Sequence, residues 1–417
     1  MRTGRDRARR VLFIVENLPV PFDRRVWQEA TTLHRQGYGV SVICPKASGY
    51  ERSHEVIDGI AIYRHPLPFE ATGWLGYLLE YAVALFFQFV LAWRVFFTRG
   101  FDAIHACNPP DTIFIVGGFF KLFFGKRFIF DHHDLSPELY QAKTGKQRGT
   151  LHRVLLLLER LTFRVADVSI ATNDSYRAVA VGRGGMDPAD VFVVRSGPDM
   201  SRVQRRAPNV DLRRGHRYLV TYVGIMGPQD GVPLLIEAAR YLVRDLRCDA
   251  QFVLVGGGTE FDRVRDLVAE YGLEDCVTLT GLQPPHSDVF LDALNTADVG
   301  VAPDPPNPMN DKSTMNKTLE YMAFGKPVVQ FELTEGRASA GPAALYARGE
   351  DAHDLAHKIE TLLEHQDMRE AMGRLGRERI ETTLSWQHQE PALLNAYDRA
   401  FVRRARSGAV RRAGTAR

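Results

Sequence analysis

Short, continuously apolar runs alternate with helix-forming runs along most of this chain, and that alternation restricts its fold more than any single residue does. Val11–Glu16, Gly39–Cys44, Asp102–Ala106, Arg127–Asp131, Asp167–Thr172 and Val191–Arg195 are short and mostly apolar or β-branched. Helical patterns such as Arg25–Gln36 and Leu151–Val165 lie between them. Strands without polar alternation are covered on both faces, which is the situation of a parallel sheet with helical crossovers. The rhythm breaks over Ser196–His216, a polar stretch with Pro198, Pro208 and five arginines that reads as a linker. It then resumes with Tyr218–Val223, Gln251–Val255, Val277–Thr280, Val299–Ala302 and Pro327–Phe331. The expectation is an α/β protein of two Rossmann-like, doubly wound domains, residues 10–195 and 217–385, facing a cleft. Ligands of such sheets bind outside the carboxyl ends of the strands, and 417 residues suffice for two domains.

Charge excludes one class of partner. A formal net charge of +3 gives no footprint for nucleic acid. The arginines concentrate at the ends, in a basic N-terminal tail (1–9) and a C-terminal tail (404–417). Both are expected to be disordered and solvated, with anionic lipid as one contact. Four scattered cysteines form no CxxC and suit a reducing cytoplasm. The charged start leads into a run, Val11–Val15, too short to be the apolar core of a signal peptide.

The segment Ser313-Thr-Met-Asn-Lys-Thr-Leu-Glu-Tyr-Met-Ala-Phe-Gly-Lys-Pro-Val-Val329 reads as a helix that stops at a glycine and enters a strand. Met315, Leu319 and Met322 share a face, Gly325 suits the C-terminus, and Pro327 forbids continuation. Asn316 and Lys317 fall in the first turn. A cation there opposes the helix dipole unless an anion joins it, and phosphate is the usual one. A solvated surface helix with a Lys317–Glu320 pair is the plainer reading.

The order of elements, together with this segment, resembles the retaining glycosyltransferases of the GT-B fold. The closest likeness is to family 4, bacterial enzymes that build polysaccharides and glycolipids. The likeness spans roughly residues 10 to 403, and is most specific at Tyr222–Leu235, Val253–Gly258, Asp298–Pro303 and Asn316–Val329. It implies that Glu320 holds the ribose of a nucleoside-diphosphate sugar, a co-substrate rather than a cofactor. It further implies that Asn316, Lys317, Thr318 and Leu319, with the loop of Gly224, Met226 and Gly227, hold the diphosphate. The chain departs from the family pattern in three places. Lys312 stands where a second glutamate is usual, and Ile225 and Asp230 stand where an arginine and a lysine clamp the diphosphate. Each lost contact is worth about 1.5–3 kcal/mol as a charge-assisted hydrogen bond. Lys312 and Lys317 are the replacements on offer.

The resemblance places the active-site histidine at His133, within Asp131-His-His-Asp134 at the end of a strand-like run. A polar group there can orient sugar hydroxyls and stabilise an oxocarbenium-like centre. A turn-capping histidine and a metal site are the other readings of the pair, though no third ligand stands out. His133 and Glu320 are thus the expected catalytic residues, with no metal. Asp134 and the loop Glu16–Arg25, whose Asp23 and Arg24 suit a hydroxylated or phosphorylated acceptor, form the acceptor side. Asp23 equally suits an N-cap. The segment Leu384 to Phe401 resembles the terminal helix (386–403) that returns to the first domain in this fold.

Trp74–Phe97 is long and apolar enough to cross a bilayer. Its small and polar members, Gly76, Glu80, Ala84, Gln88 and Arg94, gather on one arc. That arc suits a helix resting on protein with its broad apolar side, including Trp74, Leu78, Leu85, Phe86, Phe89 and Trp93, in lipid. A buried core helix and a true membrane span are the alternatives. The whole reading is a glycosyltransferase on the inner face of the plasma membrane, acting on a lipid-linked or saccharide acceptor, with polysaccharide-assembly proteins as further partners. Two other readings stay open: a nucleotide-sugar epimerase using Asp134 or Glu138, and a non-catalytic glycolipid-binding or scaffold protein.

Overall fold

A computed structural model describes residues 8–66, 73–145, 149–284 and 287–413, with side chains except at 73–75, 77, 78, 80, 143 and 403–413. The basic tail expected over 1–9 therefore lies almost wholly outside the described residues. The chain forms two compact units. Unit 1 is residues 1–141, 146–194 and 390–417, and unit 2 is residues 142–145 and 195–389.

Unit 1 contains β1 (Arg10–Ile14), α1 (Arg24–Arg35), β2 (Gly39–Pro45), β3 (His54–Ile57), β4 (Ile60–His65), α2 (Gly73–Thr98) and β5 (Ala103–Cys107). It continues through α3 (Phe114–Phe124), β6 (Arg127–His132), α4 (Ser136–Thr144), α5 (Thr150–Val165), β7 (Val168–Ala171), α6 (Asp174–Gly182) and β8 (Val191–Val193). Its eight strands run in the order β3-β4-β2-β1-β5-β6-β7-β8. All neighbours are parallel except β3 with β4. The winding reverses at β1 and β5, so the loops after those strands diverge and open a crevice at their carboxyl ends.

Unit 2 contains β9 (Tyr218–Val223), α7 (Val232–Arg240), β10 (Ala250–Val255), α8 (Phe261–Glu270), β11 (Val277–Leu279), α9 (Asp288–Thr296) and β12 (Val299–Ala302). It continues with α10 (Asn316–Ala323), β13 (Val328–Phe331), α11 (Thr334–Ala340), β14 (Ala344–Ala347), α12 (Ala352–Glu364) and α13 (Gln366–Arg379). Its wholly parallel sheet runs β11-β10-β9-β12-β13-β14, with the reversal at β9 and β12. Apolar clusters cover its faces, as the unbroken apolar strands require.

Three strands lie outside the sequence reading: β3, β4 and β14. The stretch read as a linker is structured and belongs to unit 2. Asn209 and Arg206 grip α9 through Asp292 and Asp288, and Arg213 holds Asp298. Polar composition there serves specific pairs rather than solvation. The last helix, α14 (Trp386–Ala413), extends past the expected end at 403 into the stretch read as a disordered tail. Its alanines and arginines are good helix formers. From Glu390 it belongs to unit 1.

Candidate functional site

In unit 2 the two loops at the winding reversal carry the donor-side candidates. One follows β9 and holds Gly224, Met226, Gly227 and Asp230. The other follows β12 and runs through Asp304 and Lys312 to α10. They are locked together. Asn310 donates to the carbonyls of Gln229 and Pro305 at 2.8 and 2.9 Å. Gly231 has φ +65°, and a Cβ there would sit 2.0 Å from the Pro303 carbonyl oxygen. Only glycine fits that position.

The structure corrects the reading of this site in several respects. Lys317 is not a cation awaiting an external anion. It is buried, with its Nζ 2.7 Å from Asp304 Oδ1 and 3.5 Å from Asp230 Oδ1, over the ring of Tyr222. Burial opposes its charge, but Asp304, Tyr222 and Asp230 outweigh that and hold the ammonium well above its usual pKa. Burial pushes the Asp304 carboxyl up against the pull of Lys317. The loop amides are also engaged. Gly224 N–H donates to Val255, Met226 N–H to Gly257, and Gly227 N–H to Asp230 Oδ2. The Met226 side chain is in the core, as is Leu319. The Thr318 hydroxyl donates to Gln330. Asp230, standing where a lysine was expected, thus caps its own loop.

What remains is the start of α10. Met315 supplies no side-chain cap, and of the first-turn amides, which a helix leaves without i−4 partners, that of Thr318 donates to the Met315 carbonyl at 3.1 Å. Glu320 lies one turn inside and is buried. Gly325 has φ +71° and ends the helix, with Lys326 N–H reaching back to the Tyr321 carbonyl. Lys312 closes the short turn Asn310–Lys312 ahead of the helix.

In unit 1, His133 follows β6 directly. Its backbone N–H and that of Asp134 both donate to Asn108 Oδ1, at 2.7 and 3.2 Å, and Asn108 Nδ2 donates to Asp111 and to the Asp134 carbonyl. Asn108, at the end of β5, therefore fixes the histidine loop. The His133 ring hydrogen-bonds through Nε2 to Asp131. Asp131 also receives a forked contact from Arg25 at 3.0 and 2.7 Å. Arg25 reaches Glu29 at 3.2 Å, and His105 lies 3.3 Å from Glu29 and 3.4 Å from Asp131. Tyr397, from α14, meets the other nitrogen of His105 at 2.8 Å. Burial works against charge on His105, yet Glu29 and Asp131 prevail and raise its pKa to about 9. His133 is raised in the same way, chiefly by Asp131 against burial.

The two adjacent histidines differ completely. His132 is packed against Phe130, Phe163 and Tyr176, and burial followed by the Arg183 charge lowers its pKa to about 3. His105, Cys107 and Asp131 come close enough to hold an ion. Both Asp131 oxygens, however, already face the Arg25 guanidinium, so this is the arrangement of an ion-pair network. Asp23 caps α1 by accepting from Val26 N–H, and Arg24 is half-buried beside it. Glu138, one of the two carboxylates considered for epimerisation, is buried and clamped by Arg183 at 2.8 and 3.0 Å. Sequence reading placed Arg25 in the acceptor loop as one of two guanidiniums, not against Asp131, and passed over Asn108. Arg25 and Glu29 at i,i+4 was the available signal for the first. Asn-Pro-Pro-Asp at a strand end was the signal for the second.

The helix α2 lies with Ala84, Gln88, Ala92 and Val95 against the sheet, and Gln88 donates to buried Glu16 at 3.3 Å. Leu79, Phe86, Val90 and Phe97 face outward, as do Ile115, Leu122 and Phe123 of α3. Of the expected lipid-facing residues only Phe86 does so plainly. Leu85, Phe89 and Trp93 pack on the core, where Trp93 meets Phe119, Phe120 and Phe124. The side chains of Trp74 and Leu78 lie outside the described residues. Arg94, read as protein-facing, is exposed.

Two Rossmann-like units, one with an uncapped helix start and a buried glutamate at its winding reversal, define a GT-B architecture. The family description "Glycosyl transferase 4-like domain" matches residues 23–197, and "Glycosyl transferases group 1" matches residues 217–365. The chain belongs to the family 4 glycosyltransferases of the GT-B fold. It is similar to D-inositol 3-phosphate glycosyltransferase of Gordonia bronchialis, with 28% identity over 57% of this chain and 53% of that one, about half of the relative's length. Alpha-maltose-1-phosphate synthase of Mycolicibacterium smegmatis is 26% identical over 68% of this chain and 76% of its own. Among solved structures, sucrose-phosphate synthase of Thermosynechococcus elongatus superposes with a TM-score of 0.78 at 21% identity, covering 94% and 99% of the two chains. Anabaena HepE in complex with UDP-glucose gives 0.69 at 15% identity, covering 93% and 99%.

Proposed function

We propose that this protein is a retaining glycosyltransferase that moves a sugar from a nucleoside-diphosphate sugar to a lipid-linked or saccharide acceptor at the cytoplasmic face of a membrane. One observation carries the reading. Glu320 is buried one turn inside a helix whose start has no side-chain cap, at the winding reversal of a parallel sheet. Such a start favours a diphosphate through peptide dipoles, and a carboxylate one turn on suits a ribose hydroxyl pair. The acceptor side and His133 belong to unit 1. No metal is needed on this reading, because helix dipole and Lys312 act on the leaving phosphate.

The membrane part rests on the outward stripe of α2 and α3, whose exposed Phe86, Phe97, Leu122 and Phe123 are flanked by Arg99 and Lys126. Incubation with labelled nucleotide sugars and membrane lipid extract should move label into the lipid phase, and Glu320→Gln should reduce it at least tenfold. Absence of transfer from every donor to lipid and saccharide acceptors alike refutes the reading.

The engaged loop amides and the paired Lys317 favour one second reading, a donor-binding member without turnover. It predicts thermal stabilisation by a nucleotide sugar with no transfer of label.

A further inference from the structure

Beneath His133 lies a buried group that substrate binding alone does not explain. Asp131 is fully buried, and so are Glu29 and His105, while Arg25 is 7% exposed. Two carboxylates, a guanidinium and an imidazole inside a core are unfavourable unless each meets a partner. Here they do: Glu29 meets Arg25 and His105, Arg25 Nε lies 3.0 Å from His133 Nε2, and the shortest contacts converge on Asp131. Arg25 grips both of its oxygens, and His105, held from behind by Tyr397, approaches one of them. The remaining contact of Asp131 goes upward to His133 Nε2. The His133 side chain keeps 15% exposure, and its Nδ1 makes no hydrogen bond among the described residues.

We infer that Asp131 is a positioning residue that holds His133 as an imidazolium, with Nε2–H donated inward and Nδ1–H left to meet an anionic oxygen of the ligand. The inference deepens the transferase reading and rests on it. His133 then acts as a fixed hydrogen-bond donor, and no proton is transferred. Arg25 and His105 keep Asp131 ionised and immobile, and Glu29 holds those two in place, so that Asp131 stays against His133 Nε2. A charge-assisted donor pre-set in this way stabilises negative charge that develops during bond cleavage without reorganising at that moment. The charged groups facing His133 are Asp131 from its own strand, Arg25 from α1 and Asp23 from the cap of α1. Asp131 and Asp23 favour its charge, and Arg25 opposes it.

The test is a titration of His133 in the full-length protein by NMR of ring-labelled histidine, which needs no substrate, alongside a pH profile of transfer. In Asp131→Asn, His133 should lose its proton at a pH at least one unit lower, a tenfold loss of proton affinity. The alkaline limb of kcat should move down with it, while KM for the donor stays within about twofold. In Glu29→Gln, which leaves Asp131 in place, the titration of His105 should fall while that of His133 holds. Unchanged titration of His133 in Asp131→Asn overturns the inference, as does an equal fall in both variants. Should Asp131→Asn not fold, Asp131→Glu takes its place, and His133 must keep its raised titration there or the inference fails. If no donor is turned over, the titration still decides the role of Asp131, and only the transferase reading falls.

Discussion

Removing Lys317 from the Asp304–Lys317 pair should cost far more than removing both partners, and removing Asp304 somewhat more. The two side chains are 2% and 9% exposed, and their charged atoms are 2.7 Å apart. Lys317→Met leaves Asp304 buried beside Asp230 with no cation, and stranding a buried charge costs about 3–5 kcal/mol. Asp304→Asn is milder, because Asp230 remains 3.5 Å from Lys317. It should cost about 1.5–3 kcal/mol, the value of a charged buried hydrogen bond. The double variant exchanges the pair for a neutral amide and a thioether, and should cost about 1–2 kcal/mol. The coupling energy is then about 2 kcal/mol or more. Urea unfolding gives the three values, and amide exchange in β9 and β12 assigns the loss to unit 2. The penalty of Lys317→Met should shrink at acid pH, since burial already raises Asp304 and a proton removes the stranded charge. Additive effects, or singles below about 0.5 kcal/mol, refute the pairing. Lys317 would then be available to a phosphate, and Lys317→Met should weaken donor binding without loss of stability.

Three further outcomes are expected. His105, raised from 6.5 to about 9, contributes stability that is present below pH 6.5 and is lost as pH rises through 9; the loss is about 3 kcal/mol. Urea unfolding between pH 6 and 10 should show it in the wild type and not in His105→Gln. Gly231→Ala should destabilise by more than about 2 kcal/mol, because strained φ and the Pro303 carbonyl act together, whereas Gly272→Ala, at φ +60° with nothing near, should cost about 1 kcal/mol. Phe86→Glu with Phe97→Glu should abolish pelleting with phosphatidylglycerol vesicles and leave the thermal midpoint within a few degrees, since both rings are 64% or more exposed; retained pelleting excludes α2 as the contact.

Architecture was largely legible because a buried parallel strand needs no polar face, and unbroken apolar runs such as Phe252–Val255 have few other uses. The hairpin β3–β4 was not, because it is an antiparallel pair at the sheet edge whose first strand, His54–Ile57, is half solvent-facing and polar. Its members obey no βαβ rhythm.

The site was legible by residue type but not by partner. Sequence shows Lys317 at a helix start and makes an outside anion the natural answer. Asp304 lies thirteen positions earlier, beyond a turn, and its role depends on how that turn folds back. The same holds for Arg25, indistinguishable from Arg24 until α1 packs and its phase points one arginine at Asp131 and leaves the other half-buried. In both units the cations closest to the expected ligand are already held by carboxylates of this chain. Neutralised cations cannot supply the attraction that Ile225 and Asp230 fail to supply. The diphosphate is therefore left chiefly to peptide dipoles at the start of α10, with Lys312 in the turn just ahead of that helix. It follows that Lys312→Ala should raise the donor KM more than Lys317→Met does once both variants are compared at equal folded fraction. The opposite order would mean that a bound diphosphate draws Lys317 away from Asp304.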